Sequence, residues 1–83
     1  MYQVIIRKSA LKVLDKIPDP DYTKIKKAIA ALVQDPRPIG YIKLHGRSGY
    51  RIRQGNYRII YEIVRDMLIV EVIAIGHRQD IYD

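Results

Sequence analysis

The chain has 83 residues, enough for one small domain and too few for a two-domain or dinucleotide-binding enzyme. It contains no Cys, which excludes disulfides and thiolate metal sites, so apolar packing by the 48% of hydrophobic residues must hold the fold together. The formal net charge of +6 is unevenly spread: residues 1–61 carry 13 basic and four acidic side chains, residues 62–83 two and five.

In chain order, Tyr2 to Arg7 reads as a short strand carrying Val4, Ile5 and Ile6. Ser9 is the expected N-cap of a first helix whose apolar stripe is Ala10, Val13, Leu14 and Ile17, stopped by Pro18. Asp19 and Pro20 repeat the start signal, and Ile25, Ala28, Ile29, Leu32 and Val33 fit a second amphipathic helix ending near Asp35, before Pro36 and Pro38. Lys24, Lys26 and Lys27 fall off that stripe and face solvent or a polyanion.

From Tyr41 the period changes to two. Tyr41–Leu44 is a weak strand; a turn over His45–Gly49 leads to a strand from Tyr50 to Arg53, and a loop of Gln54, Gly55 and Asn56 to one from Tyr57 to Val64. Arg65, Asp66 and Met67 join this to Leu68–Ile75, with Gly76 closing the sheet. The expected fold is a single α+β domain over 1–83: an N-terminal strand and a two-helix hairpin packed on one face of a mostly antiparallel sheet of four to five strands, the other face left open. No apolar run approaches the ~18 residues of a membrane span, and Met1 to Arg7 lacks the pattern of a signal peptide, so a cytoplasmic protein is expected.

Alternation places Arg51 and Arg53 on one face of their strand, about 6.6 Å apart at the usual rise, with Tyr50 and Ile52 on the other. In the next strand Arg58 shares a face with Ile60 and Glu62. With no acid between Asp35 and Glu62, a face gathering Arg51, Arg53 and Arg58, supported by Lys43 and Arg47, suits a phosphodiester, because guanidinium forks match phosphate geometry. The structural alternatives are ordinary ion pairs, Arg58 with Glu62 and Arg78 with Asp80 or Asp83. His77, the end of the last strand, carries a group whose ordinary pKa suits proton transfer near neutrality, although a lone His is more often structural. His45 lies in a turn, and two His without Cys make no zinc site. Glu62 and Glu71 would face each other across a two-residue loop; a longer loop or an intervening Arg is expected to separate them.

The run Tyr50-Arg51-Ile52-Arg53, a loop, Tyr57-Arg58-Ile59-Ile60-Tyr61, then Ile75-Gly76-His77-Arg78 and a terminal Tyr82 resembles the RelE branch of the RelE/ParE toxin superfamily over essentially the whole chain. The resemblance implies a toxin of a type II toxin-antitoxin system that cuts messenger RNA in the ribosomal A site without metal or cofactor and is neutralised by an acidic RelB-like antitoxin. It implies phosphate and transition-state roles for Arg58 and Arg78, a stacking or orienting role for Tyr82, and RNA contacts for Arg51, Arg53, Arg47 and Lys43. Lys24, Lys26 and Lys27 are the expected contacts to ribosomal RNA. RelE itself often has Lys where this chain has Arg51 and Arg53; Arg stabilises charge but does not accept protons, which leaves the general base to His77, Tyr82 or the ribosome. A ParE-like poison of DNA gyrase, acting by protein binding, and a non-catalytic RNA-binding module are the competing readings.

Overall fold

The computed structural model describes residues 1–77, so Arg78 and Tyr82 lie outside the described residues. The elements run β1 (Gln3–Ile6), α1 (Lys8–Asp15), α2 (Asp21–Ala31), β2 (Ile42–Lys43), β3 (Tyr50–Gln54), β4 (Tyr57–Val64) and β5 (Ile69–His77), with a 3₁₀ turn over Arg65–Met67 between the last two. They form one five-stranded sheet in the order β1-β5-β4-β3-β2. β1 runs parallel to β5 and every other pairing is antiparallel. The expected α+β architecture is borne out, with both helices on one face.

The core lies between those helices and the sheet. Ala10, Leu14 and Ile17 from the α1 segment and Ile25, Ile29 and Leu32 from the α2 segment meet Ile52, Ile59, Tyr61, Val70, Val72 and Ile75. Burying each large side chain contributes about 1.5–3 kcal/mol, which is how so short a chain offsets its ordering entropy. Val13, assigned by period to this stripe, is instead largely exposed.

The helix starts differ from expectation. Ser9 does not cap α1: the amide of Arg7 still bonds the Val72 carbonyl as the last rung of β1, and its own carbonyl already accepts from Leu11 N–H. Strand passes into helix with no spare residue, which sets Ser9 inside the first turn. Asp19 does act at the start of α2, from one position further out. Its Oδ1 accepts from Thr23 N–H (3.0 Å) and from Thr23 Oγ1 (2.6 Å), and these bonds hold its carboxyl below the usual range. The α-helix ends at Ala31; Leu32, Val33 and Gln34 then donate three residues back, a tightened turn that still buries Leu32.

The β4–β5 pairing contains an irregularity at Ile60/Tyr61. Tyr61 pairs with Val72 but Ile60 pairs with Ala74, so Ile73 is the extra residue of a bulge and the alternation of β5 inverts across it. Before the bulge Val70 and Val72 face the helices; after it Ile75 and His77 do, and Ala74 and Gly76 take the outer face. β5 thus continues through Gly76, expected to be its stop.

Candidate functional site

β3 and β4 deliver three arginines to the outer face. Arg53 pairs directly with Arg58, and Arg51 pairs with Ile60 one rung away, so the guanidinium stems rise side by side from adjacent strands. Like charges placed opposite each other destabilise a sheet. Arg51 is only 6% exposed, and burial first, then the neighbouring Arg58 and Arg53 charges, pull its pKa below the ordinary guanidinium value. On the far side of β4 the strand β5 sets Ala74 opposite Ile60 and Gly76 opposite Arg58, so along this stretch β5 itself contributes nothing larger than a methyl group.

The outer face is not wholly open. Leu44 (4% exposed) and Ile60 (2%) are buried on it together with Arg51, outside the main core. The cations stand on an apolar floor, where charge interactions are screened less than in water. Further along the same face Glu62 does fall opposite Glu71, contrary to expectation: the Arg65–Leu68 connection keeps the register, and Leu68 adopts φ +54 to close it. Each carboxylate has its own donor, Ser48 Oγ for Glu62 (3.0 Å) and Arg7 Nε for Glu71 (3.1 Å).

Lys43 and Arg47 do not join this cluster. Lys43 pairs with Tyr50, which turns it to the helix side of the sheet. Its Nζ lies 5.3 Å from the Tyr50 ring centroid and donates to the Arg47 carbonyl (3.3 Å), closing the 45–49 turn. The Arg47 side chain is exposed on that turn. Arg37, which the sequence offers only as one cation of the acid-free stretch between Asp35 and Glu62, is the partner of Lys43 here: its guanidinium lies 5.2 Å from the same ring and donates to Tyr50 Oη (3.2 Å), which raises its pKa. Tyr41, Tyr50 and Tyr61 form a row of ring contacts, each step 5.8 Å between centroids. Tyr61 ends it with a 2.6 Å hydrogen bond to the Pro36 carbonyl, and burial pushes its hydroxyl up to about 12. A proline-bounded loop holding the only basic residue between Asp35 and Lys43 was the available signal for Arg37.

His77 lies across the sheet from Arg58. It pairs with Tyr57, follows Ile75 on the helix side, and sets its ring edge-on to Tyr57 at 5.7 Å. Lys24, Lys26 and Lys27 are exposed along α2, as expected, with Lys26 also standing over the Tyr22 ring at 5.4 Å. Among the described residues no cluster of His, Cys, Asp or Glu is suited to hold a metal ion. No helix is long and apolar enough to cross a membrane.

Comparison with known proteins places this fold. Residues 4–82 match the family of the ParE toxin of the type II toxin-antitoxin system parDE. A curated Escherichia coli protein described as RelE-like toxin is 31% identical over 99% of this chain and 90% of its own length. The RelE of an archaeal RelE–RelB complex from Pyrococcus horikoshii superposes with a TM-score of 0.83 at 29% identity, covering 93% of this chain and 94% of that one. The isolated Escherichia coli RelE toxin does so with 0.82 at 26%, covering 93% and 84%. With a family model matched over nearly the whole chain, a curated relative at 31% identity and the two-helix layer on a mixed sheet shared with RelE structures, the chain belongs to the RelE/ParE superfamily of type II toxins.

Proposed function

We propose that this toxin binds messenger RNA on the outer face of its sheet and cleaves it on the ribosome. The observation that carries the reading is the convergence of Arg51, Arg53 and Arg58 on one face, with Arg51 buried beside two like charges. These guanidinium groups attract a phosphodiester, and they attract a pentacovalent phosphorane, with more negative charge on its oxygens, more strongly; stronger binding of the transition state than of the ground state is catalysis.

In the proposed reaction the ribose 2′-oxygen attacks the adjacent phosphorus as its proton leaves to a base. The bond from phosphorus to the 5′-oxygen breaks, that oxygen takes up a proton, and a 2′,3′-cyclic phosphate and a 5′-hydroxyl result. Arg58 and Arg78 hold the equatorial oxygens, Arg51 and Arg53 the flanking backbone, and Tyr82 stacks on or orients the base. His77 stands on the opposite face of the sheet, so we assign proton transfer to Tyr82 or to groups of the ribosome. Lys24, Lys26 and Lys27 lie on the helix layer, where they serve ribosomal RNA and not the scissile strand.

The partner is an acidic RelB-like antitoxin, a reading supported by the RelE–RelB complexes among the similar structures and by the +9 balance of residues 1–61. The site of action is the cytoplasm, where ribosomes are. The family description as ParE toxin keeps a second target in view, DNA gyrase bound as a protein. Primer extension on messenger RNA after brief expression, run beside a gyrase cleavage assay, separates them. Ribosome-dependent breaks within codons support the proposal; gyrase-dependent double-strand breaks with intact messenger RNA overturn it.

A further inference from the structure

Beside the arginine face lies a slot of about 410 Å³ walled by Ala28 and Ala31 of α2, by Pro38, Ile39 and Gly40 of the following loop, and by Ile52 and Arg53 of β3. Three features fit it to a flat, partly polar ligand. Three of its lining residues, Ala28, Ala31 and Gly40, are small and leave its volume unfilled, and among the described residues no atom outside Gly40's chain neighbours lies within 4 Å of where a Gly40 side chain would project. Ile39, on its rim, is fully solvent-exposed, with no other part of the chain covering it. Among the described residues β2 pairs only with Tyr50 and Arg51, so no described strand continues the sheet beside β3 from Ile52 onward.

The slot differs from the groove of about 280 Å³ between β1 and α2, which is lined by Val4, Ile6, Ile29, Ala30, Val33 and the side of Lys26 and whose exposed walls are almost wholly apolar. The slot combines apolar walls with polar atoms, a combination that recognises a heteroaromatic ring. Arg53 belongs to both the slot and the cation cluster. A strand whose phosphate rests on Arg53 and Arg58 therefore has a neighbouring base within reach of the slot.

We infer that this slot is a nucleobase subsite, which takes a base flanking the phosphate held by the arginines while its aliphatic walls cover the faces of the ring. The inference rests on the RNA-binding reading above and adds to it a place where base identity is read.

The test is fluorescence anisotropy with labelled 2′-O-methyl hexanucleotides, which lack the attacking hydroxyl and so stay intact, in two series: intact, and with a single abasic residue moved along the strand. The wild-type protein is expected to bind about tenfold more weakly when the abasic residue falls at one position, the usual worth of one stacked base. Ala31→Leu, which fills the slot from an exposed helix position, is expected to bind the intact strand about tenfold more weakly, to lose the abasic effect, and to keep the wild-type salt slope. Arg53→Gln should lower that slope by about 0.7, one phosphate contact on a single strand. Ile39→Ser, at a fully exposed residue whose change does not disturb folding, is expected to weaken binding in the same base-dependent way. Wild-type binding that is insensitive to abasic residues at every position overturns the slot alone and leaves the RNA reading standing. Failure of the wild type to bind any hexanucleotide overturns both. Slot variants that bind RNA normally but no longer copurify with an antitoxin assign the slot to a protein and also overturn the inference.

Discussion

On the helix side of the sheet, polar groups are matched: the Tyr61 hydroxyl meets the Pro36 carbonyl, the Tyr50 hydroxyl meets Arg37, Lys43 stands over the Tyr50 ring, and the buried core between helices and sheet is mostly aliphatic. On the outer side, one strand away, Arg51 is buried next to Arg58 and Arg53, all of one sign. The same two strands build both faces, so neither can be attributed to local propensity. The first face packs the core of the chain; the second gathers cations in an arrangement that attracts a polyanion. In this chain the packed core and the proposed chemistry lie on opposite sides of one sheet.

That division is broken most severely from the helix side. Ile59, fully buried, contributes no charge and touches no proposed ligand, so Ile59→Ala should destabilise the fold by about 2–5 kcal/mol through the cavity it leaves. In an 83-residue chain that lowers the melting midpoint by at least about 10 °C by circular dichroism, while the folded fraction keeps its cleavage rate. A rate loss larger than the folded fraction explains would mean that the two faces are coupled.

Tyr61→Phe sharpens the comparison at smaller magnitude. Removing the hydroxyl strips the Pro36 carbonyl of its donor and should cost about 1–2 kcal/mol. Because the folded hydroxyl titrates at about 12 and an unfolded tyrosine near 10, the folded chain holds the proton more tightly. Its stabilising share is complete below pH ~10 and is lost as pH rises from ~10 toward ~12, about 2–3 kcal/mol in all. Denaturant titrations across that window should show the wild type losing this increment relative to Tyr61→Phe; parallel curves would contradict it.

The smallest effect is expected at His77. Being on the helix side beside Tyr57, His77→Gln should change single-turnover cleavage by less than about threefold and leave its pH profile near neutrality unaltered. A loss of about 10²–10⁴ would return the imidazole to the mechanism as general acid or base.

His77 also marks the limit of what the sequence discloses. Period and punctuation sufficed for both helices, for β3 and β4, and for the shared face of Arg51, Arg53 and Arg58, since β4 keeps one alternation throughout. The family resemblance added the order of the whole chain. In β5 the same rule fails, because the extra residue Ile73 inverts the alternation, and nothing in a run of β-branched residues signals where a bulge will sit. Counting from Val70 and Val72 puts His77 with the arginines; the bulge puts Gly76 and Ala74 there instead. The small residues at 74 and 76, alternating within a bulky strand, were the readable trace of that trough. Lys43 was misplaced for a related reason: a two-residue strand carries too little pattern to fix its face, and only pairing with Tyr50 does so. Arg37 could not be placed because a loop cation has no period at all.

The central claim is that the outer face does the chemistry and the inner face does not, and Arg58→Ala tests it most directly. Arg58 pairs with Arg53 on one side and Gly76 on the other, so its loss removes charge from the site and no core volume. Single-turnover cleavage of messenger RNA on purified ribosomes should fall by about 10²–10³, the worth of one transition-state donor, with a melting midpoint equal to or above that of the wild type. A variant that melts as the wild type and cleaves at the wild-type rate would contradict the account.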